Sequence, residues 1–345
     1  MSLKRDKYLD FYRGVAAVSI IFIHTVFWSG ENYIPDYLRT LALLLDVPFF
    51  VFLSGWSVYY SSNIIKIFDN IIRIWLRYIL FISLIDIIEI VFLHTESLSL
   101  SVWLNQCFFA VKGTTPNFRV VTGSLWFLPM WIPVVLVGGA CSIFLKENDS
   151  HSNLCKRLLL FFLVGIISYS TGRITTYFLL PHMFCFYMFF FLLGYYFACN
   201  YVQWTRIQYI GICVMLGFLW LLSGHILHVS PQDLQTAKFP PNMMYLAVSL
   251  LSVTTALFLR NKLNIVVEKC SLLIFIGKNA LCFYFAQGIG SSLLYHVYPL
   301  FLSAGWELTL MVCFLINFAI TLVLGTMLVY FYQGIHFILQ NKHQI

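Results

Sequence analysis

The chain has 345 residues, of which 60% are hydrophobic, 18% aromatic and only 10% charged. Soluble domains carry about 25% charged residues, so most of this surface must face lipid, and no stretch is polar enough to fold as a water-soluble domain. The formal net charge of +7 is no nucleic-acid signal, because the basic residues are scattered between apolar runs instead of clustering on one face.

Apolar windows of about 20 residues, the length a helix needs to cross a bilayer, predict an all-α polytopic membrane protein with about ten transmembrane helices. They fall near residues 8–29, 40–60, 74–94, 124–145, 158–180, 183–201, 208–228, 242–259, 271–294 and 308–332. The first apolar run follows Met-Ser-Leu-Lys-Arg-Asp-Lys and lacks a small-residue cleavage site, so it reads as a retained anchor. With the N-terminus in the cytoplasm, fourteen Lys and Arg fall on inner connections. Only Arg39, Lys112, Arg119 and Lys238 fall on outer ones. That bias fixes the orientation and places both termini in the cytoplasm. The longest connections, near 95–123 and 229–241, contain Gly113 and Pro116, and Pro231, Pro240 and Pro241, and read as loops. Residues 1–345 therefore form one transmembrane domain with no separate soluble domain. No repeat is visible at helix-pair spacing, which weighs against an inverted-repeat transporter. Nine cysteines show no C-x-x-C pair and read as small buried hydrophobes.

The first span carries an unusual load. Asp10, Arg13 and His24 sit in an otherwise apolar helix, where hydrocarbon offers them no water. Arg13 and His24 are 11 residues apart, close to three turns, so they share a face about 16 Å apart along the axis. Asp10 lies within i,i+3 reach of Arg13 and reads as its structural partner. In the second span, Phe49-Phe-Val-Phe-Leu-Ser54-Gly55 ends in a pair that permits close helix approach.

Arg73 and Arg77 follow on the inner side, one turn apart. They are either positive-inside anchors at a helix start or a planar-donor clamp suited to phosphate. Gly123-Ser-Leu-Trp126-Phe127 opens the fourth span from outside and by itself is an interfacial aromatic anchor. Arg173, in the fifth window among hydroxyl residues, faces a wet cavity or snorkels to the outer surface. Gly277-Lys278-Asn279, with Tyr284 and Gln287, opens the ninth span from inside. Asp46, Asp86 and Glu89 are further acids within spans, any of which would suit the orientation of His24. His225, His228 and Asp233 lack metal-ligand spacing, and no metal is expected.

Taken in order, these stretches resemble the family-three membrane acyltransferases, integral-membrane O-acyltransferases that decorate bacterial surface glycans. The resemblance rests on Arg13 with ten residues before His24, the Phe-Phe-x-x-x-Ser-Gly stretch ending at Gly55, and Arg73 with Arg77. It rests further on Leu125-Trp126-Phe127, Phe189-Phe-Phe-Leu-Leu-Gly194, and Gly277-Lys-Asn with Tyr284. Many members end the last of these motifs in histidine, where this chain has Gln287.

The resemblance implies acyl-CoA-dependent transfer, usually of acetyl, to a sugar hydroxyl, with Arg13 and His24 essential. His24 would serve as general base, since neutral imidazole is competent near neutral pH, and Arg13 would position the donor or pair with Asp10. Arg73, Arg77, Lys278 and Asn279 would bind the acyl-CoA, and Trp126, Arg173 and Tyr284 would lie on the acceptor side. Acetyl-CoA is then a co-substrate and no cofactor is permanently bound. The other partners are membrane lipids and a lipid-linked or surface glycan, such as an O-antigen or exopolysaccharide, with no nucleic acid. The expected location is the bacterial inner membrane, as a multi-pass protein. The competing reading is a secondary transporter or exporter of a glycan or small molecule, with the buried acids and arginines as its substrate path.

Overall fold

A computed structural model describes residues 6–30, 33–60, 63–94, 99–108, 117–146, 151–170, 179–200 and 203–341. Among them every regular element is helical. The first apolar window is α1 (Lys7–His24), continued by a π-helical segment, Thr25–Ser29. The short α2 (Asp36–Ala42) leads into α3 (Val47–Tyr59), and the third window lies within α4 (Ile64–Val91). Two short helices, α5 (Leu100–Cys107) and α6 (Arg119–Ser124), precede α7 (Phe127–Lys146). Windows five to seven are α8 (His151–Ser170), α9 (Leu179–Cys199) and α10 (Arg206–Leu227). After α11 (Leu234–Lys238) comes α12 (Met243–Leu259), then α13 (Asn264–Lys269), α14 (Ser271–Lys278), α15 (Ala280–Val297) and α16 (Trp306–Asn341).

Among the described residues, seven helical segments are long and apolar enough to cross a membrane, or eight if α14 and α15 count as one broken span. The remaining two windows are α4, 28 residues long with charges along it, and α12, apolar but 17 residues long. The chain is an all-α, multi-pass membrane protein. Two local expectations change. The ninth window is no single rod, because α14 and α15 meet at a bend of 92° around Asn279. Arg73 and Arg77 do not start a helix, since α4 begins at Ile64 and both stand well inside it. Residues 171–178 of the fifth window, Arg173 among them, lie outside the described residues.

The chain divides into two compact units, neither continuous in sequence. The first holds Met1–Ser19, Pro35–Phe68 and Met130–Gly277. Its core is aromatic, with Phe49, Phe52, Trp56, Phe186, Tyr187, Phe190, Phe191 and Tyr245 all fully buried. Two helix crossings in it are backbone against backbone. At the crossing of α3 and α9, a Cβ on Gly55 would overlap the Phe191 carbonyl oxygen, and one on Gly194 would overlap that of Phe52. At the crossing of α1 and α14, a Cβ on Gly14 would overlap the Leu273 carbonyl, and one on Gly277 that of Asp10. Dispersion and close packing hold such crossings where lipid removes the hydrophobic drive between helices.

Unit one also contains a buried ion pair. Asp46 Oδ2 lies 2.7 Å from Lys238 Nζ and accepts a hydrogen bond from Tyr245 at 2.7 Å. At the start of α1, Asp6 accepts from Tyr60 at 3.0 Å and pairs with Arg260 at 3.2 Å. The Arg260 guanidinium lies 4.6 Å from the Trp56 ring centroid.

The second unit holds Ile20–Ile34, Asp69–Pro129 and Lys278–Ile345. Its apolar core gathers Tyr78, Phe81, Ile85, Leu125, Phe285 and Val329, among others, with Phe81 and Phe285 stacked at 4.8 Å. Glu89 pins the chain just before α6, accepting from the Asn117 amide N–H at 3.0 Å, from Asn117 Nδ2 at 2.7 Å and from the Phe118 N–H at 3.3 Å. From there α6 runs antiparallel to α15. The Val120 N–H donates to Ser292 Oγ at 3.0 Å, Gly288 lies against the Val121 backbone, and the Tyr284 hydroxyl donates to the Ser124 carbonyl.

Candidate active site

α1 is unbroken from Lys7 to His24, so the Arg13–His24 spacing corresponds to about 16 Å of rise. Asp10 is buried to 2% exposure, while Arg13 and His24 are half-buried. Asp10 and Arg13 belong to the part of α1 that packs on α14 through Gly14 and Gly277. The first and last of the sequence motifs are thereby in direct contact, since Gly277 immediately precedes Lys278 and Asn279. Lys278 is exposed and Asn279 half-buried at the bend.

His24 is the last α-helical residue before the π-helical segment. π-Helical turns cluster at functional sites because they re-aim side chains without ending the helix. The local cause is visible. Thr25 Oγ1 donates back to the Ile21 carbonyl at 2.9 Å, and Ser29 Oγ to the Thr25 carbonyl at 2.9 Å. Such bonds compete with the α-helical ladder and loosen it. The Gly30 N–H then closes on the Thr25 carbonyl at 3.1 Å, five residues back.

A second cause comes from α16. Asn317 Nδ2 donates to Thr25 Oγ1 at 2.9 Å and to Ser291 Oγ at 3.0 Å, with a longer contact to the Ile21 carbonyl at 3.4 Å. Thr321 donates to Asn317 Oδ1 at 3.3 Å, and Ser291 to Gln287 Oε1 at 3.4 Å. Gly290 leaves room for this, because a Cβ there would overlap Asn317 Oδ1. Thr25, Ser291, Asn317 and Thr321 are each 0% exposed, and Gln287 is 1% exposed. Gln287 Nε2 has no hydrogen-bond partner among the described residues. Sequence reading missed Thr25, Ser291, Asn317 and Thr321; the available signal was Asn317, an amide in the apolar middle of a 36-residue helix.

The aromatic stretch joins the same unit. A Cβ on Gly123 would meet the Trp28 ring at 2.5 Å, which seats the start of Gly123–Phe127 on the π-helical segment. Trp126 and Phe127 lie edge to face with centroids 6.3 Å apart, and Phe127 and Tyr284 at 6.4 Å. Tyr284 and Ser124 meet eight residues along α15 from Ser292, about 12 Å along the helix axis. α6 thus runs beside α15, and Ser124 and Phe127 meet that helix at Tyr284, in its first turns.

Arg77 lies 5.3 Å from the Tyr332 ring centroid, and the Tyr332 hydroxyl donates to the Arg77 carbonyl at 2.9 Å. Arg73 and Arg77 are both exposed. Of the acids within the spans, Asp46 binds Lys238 and Tyr245 through Oδ2 and Glu89 binds Asn117 and Phe118, while neither oxygen of buried Asp86 has a hydrogen-bond partner among the described residues. Asp233 caps α11 through Thr236 at 3.1 Å, and no group of three or more His, Cys, Asp or Glu suited to a metal occurs among the described residues.

A family model described as an acyltransferase domain matches residues 6–331, nearly the whole chain. No curated protein and no solved structure matches the chain. The match spans well over half of the chain, so the chain belongs to the acyltransferase 3 family, and acyl transfer is its chemistry.

Proposed function

We propose that the chain transfers an acyl group, acetyl from acetyl-CoA, to a hydroxyl of a cell-surface or lipid-linked glycan, with His24 as the general base. The observation that carries this reading is the histidine at the α-to-π transition of α1, backed by a fully buried polar network. Membrane segments tolerate such groups where they serve a site. In the reaction the acceptor hydroxyl oxygen bonds to the thioester carbonyl carbon while its proton passes to the imidazole. The carbon–sulfur bond then breaks, and the thiolate leaves with a proton returned from the imidazolium.

Coenzyme A is polyanionic, and Arg73, Arg77 and Lys278 with Asn279 supply the cationic and amide donors for its phosphates. Arg13, lower on α1 and beside buried Asp10, holds the donor side. Trp126 and Tyr284 serve the acceptor side, and Arg173 is assigned to it from the sequence alone. The setting is the bacterial inner membrane with both termini cytoplasmic.

The test is transfer of labelled acetyl from acetyl-CoA by purified protein in lipid nanodiscs to glycolipid from the same cells, alongside mass spectrometry of surface glycans with and without the gene. Loss of one acetyl mass per repeat, and loss of transfer in His24→Ala, is expected. Full transfer by His24→Ala removes the base role, and unchanged glycans with no acetyl-CoA binding remove the reading as a whole.

A further inference from the structure

We infer that Asn317 is a positioning residue: it holds the π-helical turn that begins after His24 and so sets the direction of the imidazole. The inference rests on the reading of His24 as the base. Three observations carry it. The Asn317 carboxamide is buried to 0% exposure, in an environment where a polar side chain is costly unless satisfied. Its Nδ2 bonds the turn itself, at Thr25 Oγ1 and more weakly at the Ile21 carbonyl. Those are the side chain just after His24 and a carbonyl three residues before it.

Its remaining bonds tie that contact to the scaffold: Ser291 on α15 accepts from Nδ2, and Thr321 donates to Oδ1. Gly290 keeps open the space that this arrangement needs. The amide thus connects the turn to two helices of the same unit, and its two donor hydrogens go to Thr25 and Ser291. A packing-only role would be met by leucine, which needs neither Ser291, Thr321 nor the gap at Gly290. Displacement of a catalytic group by about 1 Å costs on the order of 10²-fold in rate, so a turn held by hydrogen bonds on both sides is a sensitive point.

The experiment compares Asn317→Leu, Thr25→Val, Thr25→Ser and His24→Ala with wild type in nanodiscs. Readouts are kcat, KM for acetyl-CoA, and the rate at neutral pH at which diethylpyrocarbonate modifies His24, followed by mass spectrometry of its peptide. Asn317→Leu and Thr25→Val are expected to lower kcat by about 10²-fold with KM for acetyl-CoA unchanged, and to change the modification rate. Thr25→Ser, which keeps the hydroxyl, is expected to retain wild-type values. Wild-type kcat and wild-type modification in both Asn317→Leu and Thr25→Val would overturn the inference.

Should Asn317→Leu fail to fold, the Thr25 pair decides, since Val and Ser differ in the hydroxyl that Asn317 bonds. An active His24→Ala removes the base role, while the modification rate still decides whether Asn317 orients the ring.

Discussion

Gly277 lies flat against the Asp10 carbonyl, so that a single added methyl would overlap it. Together with Gly14 against Leu273, this contact sets α1 and α14 at backbone distance and fixes the level of Asp10 and Arg13 relative to the chain that leads into Lys278. Gly277→Ala is expected to cost about 1–3 kcal/mol through overpacking, read as a lower melting temperature in detergent, with reduced transfer by the protein that remains folded. Gly211→Ala serves as the control, since nothing lies within 4 Å of its added Cβ. It is expected to leave melting unchanged or slightly raised, because alanine favours helix. Equal melting of Gly277→Ala and wild type would show that the crossing yields without strain.

The same reasoning separates what sequence could tell from what it could not. Ser54-Gly55 was readable as a close approach because a glycine in an apolar helical run leaves the backbone open to a neighbour, and the crossing with Phe191 is there. Hydropathy placed seven or eight helices that are long and apolar enough to cross a membrane, since the length of an apolar run is a direct physical requirement. It could not find the 92° bend at Asn279, because straight and broken helices bury equally apolar residues. Nor could it locate the start of α4, because it marks the apolar middle of a helix and not its first hydrogen bond. The π-helical turn was invisible for a stronger reason: part of its cause is Asn317, 292 residues away from Thr25.

Glu89 spends both carboxylate oxygens on Asn117 and Phe118, and so holds the segment that enters α6. Hydrogen bonds to a charged group are worth about 1.5–3 kcal/mol each. Glu89→Ala is expected to lower both melting temperature and transfer, since α6 leads to Gly123 and Trp126. Glu89→Gln, which keeps one acceptor oxygen, is expected to fall between Ala and wild type in a thermal melt. The idea fails if Glu89→Ala melts like wild type.

The Asp46–Lys238 pair is 2.7 Å long and nearly excluded from solvent, with the two side chains 2% and 7% exposed. Removing one partner leaves the other charge buried, which typically costs about 3–5 kcal/mol. Asp46→Asn and Lys238→Met are each expected to destabilise strongly. The double variant is expected to be more stable than the sum of the two predicts, because it removes both charges. A double-mutant cycle on melting measures the difference. Additive losses would mean that the two groups do not act as a pair.

Arg73 and Arg77 are one turn apart and both exposed, but they are held differently. Arg77 packs over the Tyr332 ring, and the Tyr332 hydroxyl caps its carbonyl, so its guanidinium starts from a restricted orientation and loses less entropy on binding. If the pair receives the phosphates of coenzyme A, Arg77→Ala is expected to raise KM for acetyl-CoA more than Arg73→Ala, with kcat changed little in either. A change confined to KM marks lost uniform binding, distinct from loss of a transition-state contact. Arg77→Lys is expected to recover only part of the loss, because an ammonium cannot reproduce the planar fork. Added salt should raise KM for wild type more than for the double Ala variant, as exposed charges are screened. A double Ala variant with wild-type KM would leave the arginines as anchors at the membrane surface and assign the donor phosphates to other groups.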